Sequence, residues 1–309
     1  MENSTQTLPP KRLLDKNPFV FDRPVDNSNL FVSREEALSW VFDNLGNSLS
    51  MPLTIHGAPG IGRTTFLRQV QKEAILQDII PVYVNLKQMS LDSFSEFLWV
   101  FGKTIVGGLA DIGFSAPPLE KRMLILRPWQ AFQQSFWRQL IKKYSGRRIL
   151  LILDNFETLA NKSISAEATR AYRQYLGGLL EESQDVLALT SFAGRIETYD
   201  PVELAPFHQS LNYRITQFSE SQTGELINQN PVLSIQQSLA SYIYSLTRGH
   251  PADIQRLCHA IFERMQLYNF RVVTVADVVS TLRTELKPAD FRRPIFHQKE
   301  KLSYPSREG

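Results

Sequence analysis

Apolar and polar positions come in two alternating textures along this chain. Four short runs are apolar for most of their length, MPLTIH (51–56), IIPVYVNL (79–86), RRILLILDN (147–155) and DVLALTS (185–191), and LNYRITQF (211–218) completes the set with polar residues between its apolar ones. Between them lie longer stretches in which apolar residues recur every three or four positions. The first texture reads as buried strands and the second as helices with one face on a core. Helices are predicted over 32–45 (Ala37, Trp40, Val41 and Leu45 on one face), 62–77 (Phe66, Val70, Ala74), 92–110, 128–146 and 166–182. Ser33 and Glu36 have capping-box spacing at the start of the first. The helix at 128–146 opens on Pro128 and stops at Gly146, with Trp129, Phe132, Phe136 and Leu140 as its expected buried stripe. Strands of this kind alternating with helices imply a parallel sheet covered on both faces, hence an α/β domain over 19–218.

After Phe218 the strands stop. SESQTGELINQ, SIQQSLASYIYSLT and PADIQRLCHAIFERMQ read as three helices, and 270–286 as a short strand and one more helix. In the third helix Ile254, Leu257, Cys258, Ile261, Phe262 and Met265 keep one face apolar without a break, so a small helical domain is expected at 219–286. Cys258 lies on that stripe and reads as a core residue. Residues 1–18 lack periodicity and are expected to form a flexible arm, and 287–309 a disordered tail. The stretch 92–127 is rich in aromatic residues, which core packing explains, and is also a candidate partner surface.

Composition narrows the class. With 309 residues, 43% of them hydrophobic, the chain can bury a substantial core. A single cysteine leaves no intramolecular disulfide and no cysteine-based zinc cluster. The apolar runs are too short to cross a bilayer, and the polar N-terminus does not read as a secretory signal, so a cytoplasmic protein is expected. The formal net charge is +3, and 287–309 carries six Lys/Arg against three Asp/Glu, which accounts for all of it. A balanced body argues against a broad nucleic-acid surface and leaves the tail, with Arg292, Arg293, Lys299 and Lys301, as the one basic candidate. His56, His208, His250, His259 and His297 show no ligand spacing, and no Ser or Cys sits in a nucleophile motif.

The chemistry is concentrated in LTIHGAPGIGRTTFL (53–67). Gly57, Gly62 and Thr64 satisfy the phosphate-loop pattern G-x-x-x-x-G-K-[ST], but its lysine position holds Arg63. A strand that feeds a Gly-rich turn and then a helix presents backbone N–H groups to phosphates at the positive end of the helix dipole. Gly57, Ala58, Pro59, Gly60, Ile61, Gly62, Arg63, Thr64 and Thr65 are therefore the expected phosphate-binding residues, with the Thr64 hydroxyl placed for Mg²⁺. The strand ILLILDN ends in Asp154, the position from which a carboxylate orients Mg²⁺ through water. The next residue, where a glutamate would polarise an attacking water, is Asn155, which cannot accept a proton. Glu157 is the nearby carboxylate that could substitute.

NPFVFDRPVDNSNLFVSREEAL, GAPGIGRTTFL, LLILDNFETL, LALTSFAGRIE and LTRGHPADIQRLC together resemble bacterial AAA-like ATPases of the STAND and Orc/Cdc6-like group, from about Asn17 to Leu282. The resemblance implies an additional-strand P-loop NTPase core followed by an all-helical lid, with ATP or ADP and Mg²⁺ as ligands. It also implies that Phe31, Val32, Arg34 and Glu35 help form the nucleotide pocket, although Ser33 replaces the family's glycine there. Pro251, in RGHP, would pack near the adenine. Thr190 or Ser191 would sense the γ-phosphate, and Arg195 would be a sensor arginine or a finger offered to a neighbour.

Arg63 and Asn155 predict that nucleotide binding survives better than turnover. The leading expectation is a STAND-type switch that regulates a protein partner or its own self-association. An ATP-dependent DNA factor of the Orc/Cdc6 or transposition-ATPase type, and a pseudo-ATPase scaffold, are the alternatives.

Overall fold

The structure, a computed structural model, describes residues 17–24, 31–32, 34–46, 51–160, 166–195, 197, 209–228, 237–269 and 272–291. Two compact units emerge: Ser33–Thr216, and Met1–Val32 together with Gln217–Gly309. The expected capping residue Ser33 lies outside the described residues, as do Arg292, Arg293, Lys299, Lys301, His208 and His297.

The first unit is an α/β domain. Its elements are α1 (Glu35–Gly46), β1 (Leu53–Gly57), α2 (Arg63–Leu76), β2 (Ile80–Asn85), α3 (Phe94–Asp111), α4 (Lys121–Leu126), α5 (Pro128–Gln130), α6 (Arg138–Lys143), β3 (Ile149–Asp154), α7 (Ala166–Glu181), β4 (Val186–Ala193) and β5 (Leu211–Arg214). The sheet has the order β2-β3-β4-β1-β5, with every pair parallel. Register aligns the carboxyl ends in two pairs, Asn85 with Asp154 and Gly57 with Ala193, the second pair reaching two residues further along the sheet. Open parallel sheets bind ligands at that edge, where neighbouring connections diverge. All six residues of β3 are buried, as the run ILLILD requires.

The helices cover this sheet with aromatic residues. Phe97 and Phe101 of α3, with Phe132, Phe136 and Trp137, join Val82, Val84, Leu151 and Leu153 in one core. Trp137 is fully buried, and its indole N–H donates to the Leu179 carbonyl at 3.0 Å, so its polar atom is satisfied. Between α5 and α6 the helix is π-helical over Ala131–Trp137. Five-residue hydrogen bonding widens the turn and rotates what precedes it relative to a regular helix. The expected stripe therefore holds for Phe132, Phe136 and Leu140 but not for Trp129, which is exposed and rests against Phe94 and Tyr175. Helix α4 has no counterpart in the sequence reading. Only its Leu124 is buried, while Met123, Ile125 and Leu126 are exposed, so one short turn had too little periodicity to be seen.

The second unit is helical: α8 (Glu220–Asn228), α9 (Gln237–Thr247), α10 (Pro251–Tyr268) and α11 (Val275–Thr284). Its core joins Leu226, Ile227, Ile243 and Val278 to the apolar stripe of α10, with Cys258 fully buried. Burial pushes the Cys258 thiol up, consistent with a core role. A Thr274–Asp277 capping box starts α11, and no strand precedes it among the described residues 272–274. Phe19 and Val32, which the sequence boundary at residue 19 assigned to the α/β domain, are buried in this helical core. So is Phe291, and Asp290 pairs with Arg256 at 3.6 Å, so ordered structure continues past 287, the expected start of the tail. In both cases an isolated apolar side chain at a domain margin found cover that periodicity could not reveal.

Gly249 turns the chain into α10 with φ 72°, and a Cβ built there would stand 1.9 Å from the Phe218 carbonyl oxygen. Gly113 has a similar φ of 80° with nothing within 4 Å. Gly249→Ala is expected to lose about 2–6 kcal/mol from strain plus collision, and Gly113→Ala only about 1–3 kcal/mol from strain. Urea unfolding of the two variants checks this, and equal losses would contradict the close approach.

Candidate functional site

The strand–turn–helix segment folds as its residues dictate. Gly57 ends β1, and its carbonyl accepts from the Gly194 N–H at 2.8 Å. A Cβ on Gly57 would approach the Ile215 carbonyl oxygen to 2.7 Å, so the neighbouring β5 backbone alone demands glycine here. Within the turn the Ile61 N–H donates to the Ala58 carbonyl at 3.2 Å, and Gly62 takes φ 92° to redirect the chain into α2. Pro59 and Gly60 are exposed at the tip. Helix α2 starts without a side-chain cap and without an acidic residue in its first turn, which leaves its positive end free of intrinsic counter-charge.

Beside this helix end lies Asp154, fully buried at the end of β3. Its Oδ2 accepts from the Thr64 hydroxyl and from the Tyr83 phenol, each at 2.7 Å. Its Oδ1 accepts the Asn155 backbone N–H at 2.9 Å and a short hydrogen bond from the Ser191 hydroxyl. The structure thus brings Thr64, Asp154 and Ser191 together. Thr190 faces the other side of β4, where its hydroxyl meets that of Thr54 at 2.8 Å. Adjacent residues of a strand point to opposite faces, so only one of the two candidates can reach Asp154.

Arg63 is 9% exposed, and its Nη1 lies 3.8 Å from the Glu157 carboxylate, too far for a hydrogen bond. Nη1 makes no hydrogen bond among the described residues. Glu157 in turn accepts the Ala193 N–H at 3.1 Å. Asn155 takes the left-handed conformation, φ 59°, and its side-chain amide donates to Asn85 Oδ1 at 2.9 Å. Each of the two groups from which a water might be oriented thus already has a protein partner.

Arg34 donates from Nη2 to the Ile61 carbonyl at 2.9 Å and to the Thr216 carbonyl at 3.2 Å. Burial pulls its guanidinium down to about 10. It braces the loop through its backbone. Arg195 is exposed, one residue past Gly194. Phe31, Val32 and Pro251 belong to the helical unit, where Val32 is core and Pro251 is the first residue of α10. Tyr83 and Asn85 are absent from the sequence reading. The available signals were a tyrosine within an otherwise aliphatic strand and an asparagine at that strand's carboxyl end.

A polyphosphate fits these residues: a helix N-terminus with no acidic residue in its own first turn, glycines where backbone must come close, and a buried guanidinium with an unused donor. A divalent cation does not fit Asp154, whose two oxygens already accept four hydrogen bonds. Among the described residues no group of three His, Cys, Asp or Glu could hold a metal ion. No helix among them is long and apolar enough to cross a membrane.

Comparison with known proteins yields likeness of fold. No family model matches the chain, and no curated protein matches it in sequence. Solved structures do match. The Walker-type ATPase of Pyrococcus abyssi shares 12% identity at TM-score 0.60, covering 84% of this chain and 74% of that one. The ADP form of the Aeropyrum pernix ORC2 protein shares 18% at TM-score 0.59, covering 87% and 74%. Drosophila ORC bound to DNA shares 13% at TM-score 0.53, covering 91% and 69%. The chain has the α/β fold of Orc/Cdc6-type P-loop ATPases.

Two outcomes follow from the local geometry. Asn155→Glu places a longer side chain, which tolerates positive φ less well than asparagine, in this corner and breaks the bond to Asn85, so it is expected to be about 1–3 kcal/mol less stable than Asn155→Gly. Urea midpoints of the two variants decide it. His56, next to the loop, is held below the ordinary imidazole pKa, chiefly by burial and against the opposing pull of the Gly194 carbonyl at 3.4 Å. The unfolded chain therefore takes up this proton first as pH falls, and stability drops below about pH 6.5. Unfolding of His56→Gln at pH 7.5 and pH 5 is expected to show a smaller loss than the parent.

Proposed function

We propose that this chain binds ATP or ADP through the loop from Gly57 to Thr65 and turns it over slowly or not at all. The observation that carries this reading is a buried guanidinium with an unused donor at the uncapped N-terminus of α2. Beside it, Thr64 is hydrogen-bonded to Asp154 at 2.7 Å. Backbone N–H groups of the turn and the helix dipole favour a phosphate chain there. Arg63 supplies a forked, permanently charged partner for phosphate oxygens.

The same residues argue against efficient hydrolysis. A water lined up on a terminal phosphate needs a group that can orient it and accept its proton. Asn155 cannot accept a proton, and its amide is bonded to Asn85. Glu157 already accepts the Ala193 N–H and stands 3.8 Å from the Arg63 guanidinium. Mg²⁺, which the sequence places on Thr64 and Asp154, is not assigned a step, since the carboxylate has no acceptor to spare. What remains is a binding site whose occupancy can be read by the rest of the molecule.

The likeness to Orc/Cdc6-type structures, one of them bound to DNA, favours a nucleotide-dependent factor that acts with DNA over a STAND-type signalling switch. The basic residues after Phe291 are the candidate contact, and a cationic segment of this kind binds phosphates in a salt-dependent way. Protein partners and self-association remain part of the proposal as the means by which a bound nucleotide is sensed.

Calorimetry with ATP and ADP, with turnover measured on the same preparation, tests the reading. Micromolar binding is expected, weakened at least about tenfold by Arg63→Ala, the loss of one charge-assisted contact. Turnover is expected far below the roughly one per second of an efficient phosphoryl-transfer enzyme. Absence of binding overturns the proposal, and ready turnover overturns its second half. DNA binding at low salt that disappears on removal of 292–309 supports the DNA reading, and none at low salt removes it.

A further inference from the structure

We infer that the nucleotide site works without a divalent cation: a nucleoside di- or triphosphate binds as the free anion, with Arg63 and the α2 N-terminus as its counter-charge. The inference rests on the nucleotide reading above and concerns what neutralises the phosphates.

A carboxylate offers about four lone-pair directions. At Asp154 all four are taken: Thr64 Oγ1 and Tyr83 Oη, each at 2.7 Å, on Oδ2, and the Asn155 N–H at 2.9 Å with the Ser191 hydroxyl on Oδ1. Mg²⁺ dehydrates reluctantly and is held through one or two carboxylates and its remaining waters, each of which must donate to an acceptor. A threonine hydroxyl could turn a lone pair to a cation while still donating to Asp154. A water of that cation would then find no free acceptor on the carboxylate.

The donors that block it are fixed. The Tyr83 ring is 7% exposed and lies beneath the Arg68 guanidinium, whose central carbon is 3.6 Å from the ring centroid. Ser191 is fully buried, and its hydroxyl also accepts the Asn155 N–H at 3.0 Å. Asn155 is held in its corner by Asn85. The next carboxylate, Glu157, accepts the Ala193 N–H and faces Arg63, so it is no substitute. A cation would have to displace a buried hydroxyl to gain one water contact.

The positive charge that a phosphate chain needs is already present. Arg63 brings it on a side chain that is 9% exposed, with Nη1 making no hydrogen bond among the described residues. A buried donor without an acceptor is costly, and a phosphate oxygen relieves it. The two unusual features, a forked cation at the lysine position and a saturated aspartate, thus point to the same chemistry.

Titration of the full chain with ADP and with ATP, in Mg²⁺ and in EDTA, tests this. Dissociation constants are expected to agree within about threefold between the two buffers. Electron paramagnetic resonance of Mn²⁺ with protein and ADP is expected to show no protein-bound ion beyond the Mn²⁺–ADP complex. Tyr83→Phe keeps the ring under Arg68 and frees one lone pair, so in this variant Mg²⁺ is expected to strengthen ADP binding at least about fivefold. Binding that falls tenfold or more in EDTA, a protein-bound Mn²⁺ signal in the parent chain, or a Tyr83→Phe variant indifferent to Mg²⁺ overturns the inference while leaving nucleotide binding intact. No binding in either buffer overturns the nucleotide reading, and this inference with it.

Discussion

The α/β unit is organised around one buried carboxylate. Asp154 ends the most deeply covered strand, and a carboxylate removed from water is tolerated only where donors replace its hydration. The four donors come from different places in the chain: the first turn of α2, the middle of β2, the end of β4 and the corner after β3. Strand order makes this possible, since β3 lies between β2 and β4, its carboxyl end is level with that of β2, and its register with β4 brings Asp154 opposite Ser191. The sheet and the carboxylate therefore support each other. The parallel register delivers the donors, and the bonds they make fix how the strand ends and the phosphate-type turn stand together.

Arg63 and Asn155 look like two separate departures from a hydrolytic site, but the structure ties each to a neighbour. A guanidinium is longer than an ammonium and reaches sideways to Glu157, which is itself anchored by the β4 backbone at Ala193. The asparagine suits its own corner, because its short polar side chain tolerates positive φ and bonds to Asn85 on the adjacent strand. Reversing either identity in isolation would leave its partner in place. Each of the two residues thus belongs to a small local network.

Much of this was legible in the sequence. The four inner runs gave β1 to β4 because those strands are buried on both faces and leave little room for polar alternation, whereas the edge strand β5, LNYR, is largely exposed. The turn from Gly57 to Gly62 was legible because positive φ in a tight turn favours glycine over any residue with a Cβ. Asp154 was legible because a carboxylate closing an aliphatic run is too costly to bury unless donors meet it. What stayed hidden depends on partners distant in sequence. Tyr83 is one residue in a strand until β3 brings Asp154 beside it, and Thr190 and Ser191 cannot be ranked until the side that β4 shows to β3 is known. The π turn before α6 was likewise invisible, since it alters which residues align without altering which residues are apolar.

Arg34 shows how an event at the loop reaches beyond it. The chain passes between its two units at 32–33 and again at 216–217. Arg34 lies just inside the first passage, Thr216 is the last residue before the second, and one guanidinium nitrogen joins the Thr216 carbonyl to that of Ile61 in the turn. A shift of the Ile61 carbonyl therefore either lengthens one of these hydrogen bonds or carries Arg34 and Thr216 with it. One side chain of the α/β unit thus ties the turn to both points at which that unit hands the chain on.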